Sequence, residues 1–163
     1  MALFSASLIQ IVGGLFVYAL LAAILAAVSY VDWRSRRIPN QAIVTLCALR
    51  CIVLIVDMLA GDVACALDAF VTGLLVAGGS ALLFIALKAA FDALAHQESL
   101  GWGDVKLVFA GFLFLDLTQA VIALFIAAFA GILLAIGFRV VCKDRTFPFG
   151  PALCLGITAG LFL

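Results

Sequence analysis

An all-α integral membrane bundle of about six transmembrane helices is predicted by three observations. The chain of 163 residues is 68% hydrophobic and 11% charged, more apolar side chain than a soluble domain of this size can hide. Residues 1–31, 69–87, 117–138 and 146–163 carry no charge, and 38–56 carries only Arg50. Runs of roughly 18 or more apolar residues read as membrane-crossing helices. The charges between the runs also segregate by sign, as a chain threaded back and forth through a bilayer requires. Residues 1–163 are expected to form one polytopic domain, with the lipid bilayer as its main partner.

The spans are predicted at about 8–31, 41–59, 66–88, 97–117, 119–140 and 150–163. No Lys or Arg precedes Arg34. The first apolar run is also longer than the roughly 7–15 residues of a signal-peptide core, so it is expected to stay as a helix. Pro39-Asn40 opens the second span and Gly150-Pro151 the sixth. Asn can cap a helix, and Pro lacks the N–H that a first turn leaves unused. One helix from Lys106 to Arg139 would be about 50 Å long against a hydrocarbon core of about 30 Å. A turn near Asp116–Gln119 is therefore expected, and the fourth span must begin before Val105. That draws Gly103 and Asp104 into the membrane. The last span is short, and expected to tilt or to pack inside the bundle. Ala127, Gly131 and Ala135 form a small-residue stripe suited to helix packing in lipid.

Six spans leave three loops on one side and two on the other. Arg34, Arg36, Arg37, Lys88, Lys106, Arg139, Lys143 and Arg145 belong to the odd loops or their flanks. The even loops carry Asp57, Asp62, Asp68 and Asp116, with no Lys or Arg. The positive-inside rule then predicts odd loops in the cytoplasm and both termini outside.

The formal net charge is zero, which excludes a nucleic-acid footprint. Cys47, Cys51, Cys65, Cys142 and Cys154 form no C-x-x-C pair. They read as small apolar residues of a bundle, with no metal and no cofactor expected. His96 and Glu98 read as loop residues. Arg50 lies mid-span, where a charge costs at least ~2.5 kcal/mol unless paired or hydrated. Asp57 is two turns away, too far for a direct partner.

Two carboxylates fall at the same membrane face: Asp32 closes the first span and Asp104 opens the fourth. Ionisable side chains at membrane depth point to function. Two nearby carboxylates do not easily both ionise, and an acid–base pair of this kind activates water against a peptide carbonyl. Gly101 and Gly103 leave the backbone bare beside Asp104, open to an extended chain. Trp102 suits the interface between them. The same residues also fit a plainer reading. Asp104 and Lys106 would then be an ordinary helix N-terminus and a snorkelling cation, and Asp32 an interfacial residue beside arginines.

Val31-Asp-Trp-Arg-Ser-Arg-Arg-Ile-Pro-Asn40 resembles the D-x(5)-I-P-N segment of prepilin peptidases. Gly101-Trp-Gly-Asp-Val-Lys-Leu107 resembles their G-x-G-D-x-K-L motif, and Phe147-Pro-Phe-Gly-Pro151 their C-terminal P-F-G-P segment. The resemblance implies a G-x-G-D intramembrane aspartic protease bundle. Asp32 and Asp104 would be its catalytic acids. Substrate-binding or site-shaping roles would fall to Gly101, Trp102, Gly103, Lys106, Arg36, Arg37, Pro39, Asn40, Pro148, Gly150 and Pro151. It implies a prepilin partner whose basic leader is removed at the cytoplasmic face of the bacterial inner membrane, just before the pilin's hydrophobic helix. The methylating members' paired C-x-x-C cysteines are lacking, which resembles the short, peptidase-only form of tight-adherence (Flp) systems.

Two other classes compete. A small proton- or cation-coupled transporter would use Asp32 and Asp104 as a relay, but no repeat relates residues 1–80 to 81–163. A non-enzymatic assembly scaffold would need neither acid.

Overall fold

The computed structural model describes residues 2–60, 63–95, 101–141 and 148–162, with side chains at 13–60, 63–93, 101–138 and 148–162. Asp62, His96, Glu98, Cys142, Lys143, Arg145 and Phe147, and the side chain of Arg139, lie outside that description. Among the described residues all regular structure is helical: α1 (Ala2–Ser35), α2 (Asn40–Leu59), α3 (Val63–Ala95), α4 (Trp102–Phe112), α5 (Leu117–Val141) and α6 (Gly150–Leu161).

Four helices are long and apolar enough to cross a membrane: Gly13–Ser35, Asn40–Leu59, Val63–Ala93 and Leu117–Phe138. The fourth predicted span, 97–117, is corrected to a short helix, and the sixth is short and packed inside the bundle, as expected. The fourth element has 11 residues and α6 has 12. At 1.5 Å per residue each is about 16–18 Å long, little more than half a hydrocarbon core. Half-length helices are tolerable in a membrane protein only where protein covers them. Both are covered: Val105, Leu107, Val108, Ala110 and Phe112 of α4 are buried, as are Leu153, Cys154 and Ile157 of α6. The first and third helices are longer than expected, and Asp32, expected to close the first span, lies in the last turn of α1.

The helix ends follow from local chemistry. After Asp32 the chain leaves α1 through Arg36, which has a left-handed φ of 53°; its N–H donates to the Asp32 carbonyl at 2.8 Å. Pro39 then excludes Ile38 from helical geometry. Pro39 itself, at φ −70° and ψ 126°, takes the N-cap place of α2. Asn40, expected as a cap, is instead the first helical residue, and its Oδ1 accepts from Lys106 Nζ at 3.4 Å. The turn expected near Asp116 is present as a reciprocal cap. The Gln119 N–H donates to Asp116 Oδ1 at 2.8 Å, and the Asp116 N–H donates to Gln119 Oε1 at 3.2 Å. Such a pair satisfies two orphan donors at the start of α5. Pro151 sits in the first turn of α6, as its missing N–H allows.

The most extensive seam joins α5 and α6. A Cβ on Gly156 would collide with the Ala123 carbonyl and Ala127, and one on Gly131 would lie 2.6 Å from the Phe149 ring. The small-residue stripe thus receives α6 and the segment before it. Pairings of residues 119 with 160, 127 with 156 and 131 with 149 make the two helices antiparallel. In the same way α3 runs antiparallel to α4, since Gly73 meets Leu113 and Lys88 meets Trp102. Large exposed side chains such as Phe16, Leu59, Leu75, Phe125 and Phe129 cover the outside, the surface that a bilayer solvates.

Arg50 is buried at the junction of α2, α3 and the end of α4. Its Nη2 donates to the Ala69 carbonyl at 2.9 Å. The guanidinium lies 5.6 Å from the centroid of Phe70 and 5.8 Å from that of Phe114, within cation–π range. A backbone carbonyl and two aromatic faces thus meet part of the charge that the sequence left unexplained, while the buried Arg50 Nε has no hydrogen-bond partner among the described residues.

Candidate active site

These register relations gather one end of every helix at one end of the bundle. Asp32, Asn40, Lys88, Asp104 and Gly150 meet there, with Trp33 of α1 packed edge-on against Phe138 of α5 at 5.2 Å between centroids. Asp57, Asp68 and Asp116 belong to the opposite ends of their elements.

Asp32 is buried, with 5% of its surface exposed. Its Oδ2 accepts the Gly150 N–H at 3.1 Å. The contact requires a residue without a side chain at 150, because a Cβ there would collide with the Asp32 carboxylate. The start of α6 thereby presents a backbone donor to an acid 118 positions away in sequence.

Asp104 lies in the first turn of α4, where the helix dipole favours a carboxylate. Its N–H donates to the Gly101 carbonyl at 3.1 Å. Asp104 Oδ2 is 3.2 Å from where a Cβ on Gly101 would be, and a Cβ on Gly103 would lie 3.2 Å from Ile38. Gly101 thus leaves room beside the carboxylate, and Gly103 lets α4 approach the loop after α1.

Both acids line the same two adjoining cavities. One, of about 700 Å³, runs between α3 and α5 and includes Arg36, Lys88, Gly101, Pro148 and Phe149 in its wall. The other, of about 290 Å³, carries Arg36, Arg37, Asn40, Gly103 and Lys106 around the acids. The two carboxylates thus face shared space at the start of α4 and the end of α1. Chemically, this is a pair of acids, Asp32 buried and Asp104 half-buried, beside a positively charged rim and an apolar wall.

Most residues singled out in the sequence therefore converge. Four line neither cavity, of which Gly150 still reaches the site through its N–H to Asp32. Trp102 is 60% exposed and offers its ring to Lys88, whose Nζ is 5.8 Å from the centroid. Pro39 acts as the N-cap of α2. Pro151 lines a separate apolar groove between α1, α5 and α6. Lys88 was missed as a site residue. It is buried and bonded to Asp92 Oδ2 at 3.0 Å, and it shares the larger cavity with both acids. Its one sequence signal was its place at the end of the uncharged run 69–87, which reads equally well as a topology signal. The left-handed backbone of Arg36, a conformation that costs an ordinary residue about 1–2 kcal/mol, was also invisible. It is one residue of the type that gathers at functional sites.

Comparison with curated proteins and with solved structures returned no significant match. Residues 19–136, which include both acids, match the model of the type IV leader peptidase family. Because the match spans most of the chain, this helical membrane protein belongs to the type IV leader peptidase family.

Proposed function

We propose that the protein is an aspartic endopeptidase that removes the leader from type IV, Flp-like prepilins at the cytoplasmic face of the bacterial inner membrane. The observation that carries the reading is the pair Asp32 and Asp104, far apart in sequence, lining one cavity with an apolar wall. In the proposed reaction one carboxylate is ionised and the other protonated. The ionised one takes a proton from a water as its oxygen attacks the scissile carbonyl carbon. The protonated one donates to the carbonyl oxygen. Return of a proton to the amide nitrogen lets the C–N bond break, giving a carboxylate on the leader and a free amine on the pilin. The Gly150 N–H holds Asp32 by Oδ2, which leaves Oδ1 to meet the water. Gly101 and Gly103 leave backbone accessible for an extended substrate strand.

The sidedness follows from the cations that share the acid end. Arg34, Arg36, Arg37, Lys88 and Lys106 lie there in sequence elements whose other ends carry Asp57, Asp68 and Asp116. The positive-inside rule places that end in the cytoplasm and both termini outside.

Co-expression with a candidate prepilin tests the reading. Leader removal, followed by gel shift, is expected with the unsubstituted protein and absent with Asp32→Asn and with Asp104→Asn at equal protein level. Normal processing by either variant rules the acid pair out.

A further inference from the structure

Among the described residues, Lys88 is the buried cation at the acid end, and the proposed reaction does not use it. It lies short of the tip of α3, which continues through Ala95, about 10 Å further on. A lysine near a membrane face ordinarily extends its stem so that the ammonium reaches water. Lys88 is instead 8% exposed. Its Nζ is bonded to Asp92 Oδ2 at 3.0 Å, one turn on. The same atom lies 5.8 Å from the centroid of the Trp102 ring, within cation–π range.

Trp102 is the first residue of α4, and Asp104 lies in the same first turn. That turn has no side-chain cap: Gly101 takes the N-cap place at φ −74° and ψ 140°. Its position therefore depends on contacts with neighbouring elements. Gly103 admits Ile38 of the loop after α1. Lys106 Nζ donates to Asn40 Oδ1 at the start of α2 at 3.4 Å. The Trp102 ring on Lys88 supplies a contact with α3. This last contact is electrostatic, and it runs from Asp92 through Lys88 to Trp102. Two ionised carboxylates repel each other, so a turn that carries one of them drifts outward unless it is held.

We propose that Lys88 is a positioning residue for the acid pair: its ammonium, oriented by Asp92, holds the Trp102 ring and so keeps Asp104 at its working distance from Asp32. The inference rests on the peptidase reading and adds to it a residue outside the three motifs. The charged or titratable groups around the pair, among the described residues, are Arg36 and Arg37 after α1, Lys88 and Asp92 on α3, Lys106 on α4, and Cys154 one turn beyond Gly150 on α6. Replacing Trp102 removes none of these charges, so Trp102 variants separate the tether from the field. Repulsion within a carboxylate pair spreads its two apparent pKa values. A pair that opens from ~4 to ~6 Å, at an effective dielectric constant of about 20, loses about a third of that repulsion, and the two limbs of its pH profile come about one pH unit closer. Loss of the Lys88 charge without movement shifts both limbs in the same direction instead.

The test follows leader removal from a candidate prepilin by the full chain in bicelles, measuring kcat and KM and following kcat/KM against pH. The variants are Lys88→Met, Lys88→Arg, Trp102→Leu, Trp102→Phe and the double variant Lys88→Met/Trp102→Leu. Lys88→Met and Trp102→Leu are each expected to lower kcat about tenfold at unchanged KM and to bring the limbs about one pH unit closer. The double variant is expected to be no worse than either single one, because both cut the same tether. Lys88→Arg and Trp102→Phe keep a cation against a ring, and are expected to restore most of kcat and the full width of the profile. Limbs that move together in Lys88→Met while Trp102→Leu leaves the profile intact mean that Lys88 acts by its charge alone, and overturn the tether. So does a raised KM at unchanged kcat, which puts Lys88 on the substrate, or a loss in the double variant equal to the sum of the two. A lowered unfolding midpoint in detergent with an unaltered profile makes the contact merely structural and overturns it as well. Failure of the unsubstituted protein to cleave at any pH overturns the peptidase reading itself, and the inference with it.

Discussion

Gly150 and Asp32 show how closely a single residue is held at this site. The Asp32 carboxylate lies where a Cβ on Gly150 would be, so Gly150→Ala must displace either the acid or the start of α6. Pro151 fixes the backbone of that first turn, which makes the acid the part that yields. Leader removal is expected to fall at least about tenfold, which corresponds to about 1.4 kcal/mol of lost transition-state stabilisation, while the protein still accumulates in the membrane. Asp32→Asn and Asp104→Asn are expected to cost more, about 10²–10⁴-fold, the usual contribution of a positioned acid or base. The pH dependence of kcat/KM is expected to be bell-shaped, with two apparent pKa values that belong to the pair. On the acid limb both carboxylates are protonated and no base remains. On the alkaline limb both are ionised and no proton is left to donate. A profile that is flat across both limbs would contradict the acid pair. Both acids were legible in the sequence as candidates through the G-x-G-D and D-x(5)-I-P-N stretches, and the structure brings them to shared cavities. The role of Gly150 was legible only as a motif position, since the contact it permits crosses 118 positions.

At the level of elements, the short helices α4 and α6 depend on how their neighbours receive them. Gly156 lies against the Ala123 carbonyl and Ala127 of α5, and backbone cannot move aside as a flexible side chain can. Gly156→Ala is expected to destabilise the protein by about 1–3 kcal/mol, the usual cost of overpacking, read as a lowered unfolding midpoint in detergent titration. The cap of α5 is a milder case. Removing the Asp116 side chain in Asp116→Ala frees the Gln119 N–H and is expected to cost about 1 kcal/mol in the same measurement. The cap was visible in the sequence as a turn between two apolar runs. The length of α4 was not. A span from 97 to 117 was inferred because an isolated helix must cross the whole hydrocarbon core. Burial among α2, α3 and α6 lifts that requirement, because their side chains replace lipid around the half-length helix. Arg50 was illegible for a related reason: its compensation comes from Ala69 and Phe70 on α3 and Phe114 after α4, none of which is near it in sequence.

Across the whole molecule, charge and apolar surface are distributed along one axis. Apart from Arg50, which lies against Ala69 and Phe114, the described cations share one end with both acids, and Asp57, Asp68 and Asp116 lie at the opposite end. A reporter that is active only outside the cytoplasm, fused after Leu163, is expected to be active, and the same reporter inserted between Arg36 and Arg37 inactive. The reverse pattern would invert the proposed sidedness. Composition and the spacing of charge were enough to predict a helical membrane bundle, and three short motifs carried the likeness to one peptidase family. These properties follow from side-chain hydrophobicity and local chain geometry, which do not depend on who the neighbours are. Tertiary structure decided that Asp32 and Asp104 share a cavity and that Lys88 joins them. Those features are distances between helices, set by which faces pack and which stay apart, and a linear chain carries them only implicitly.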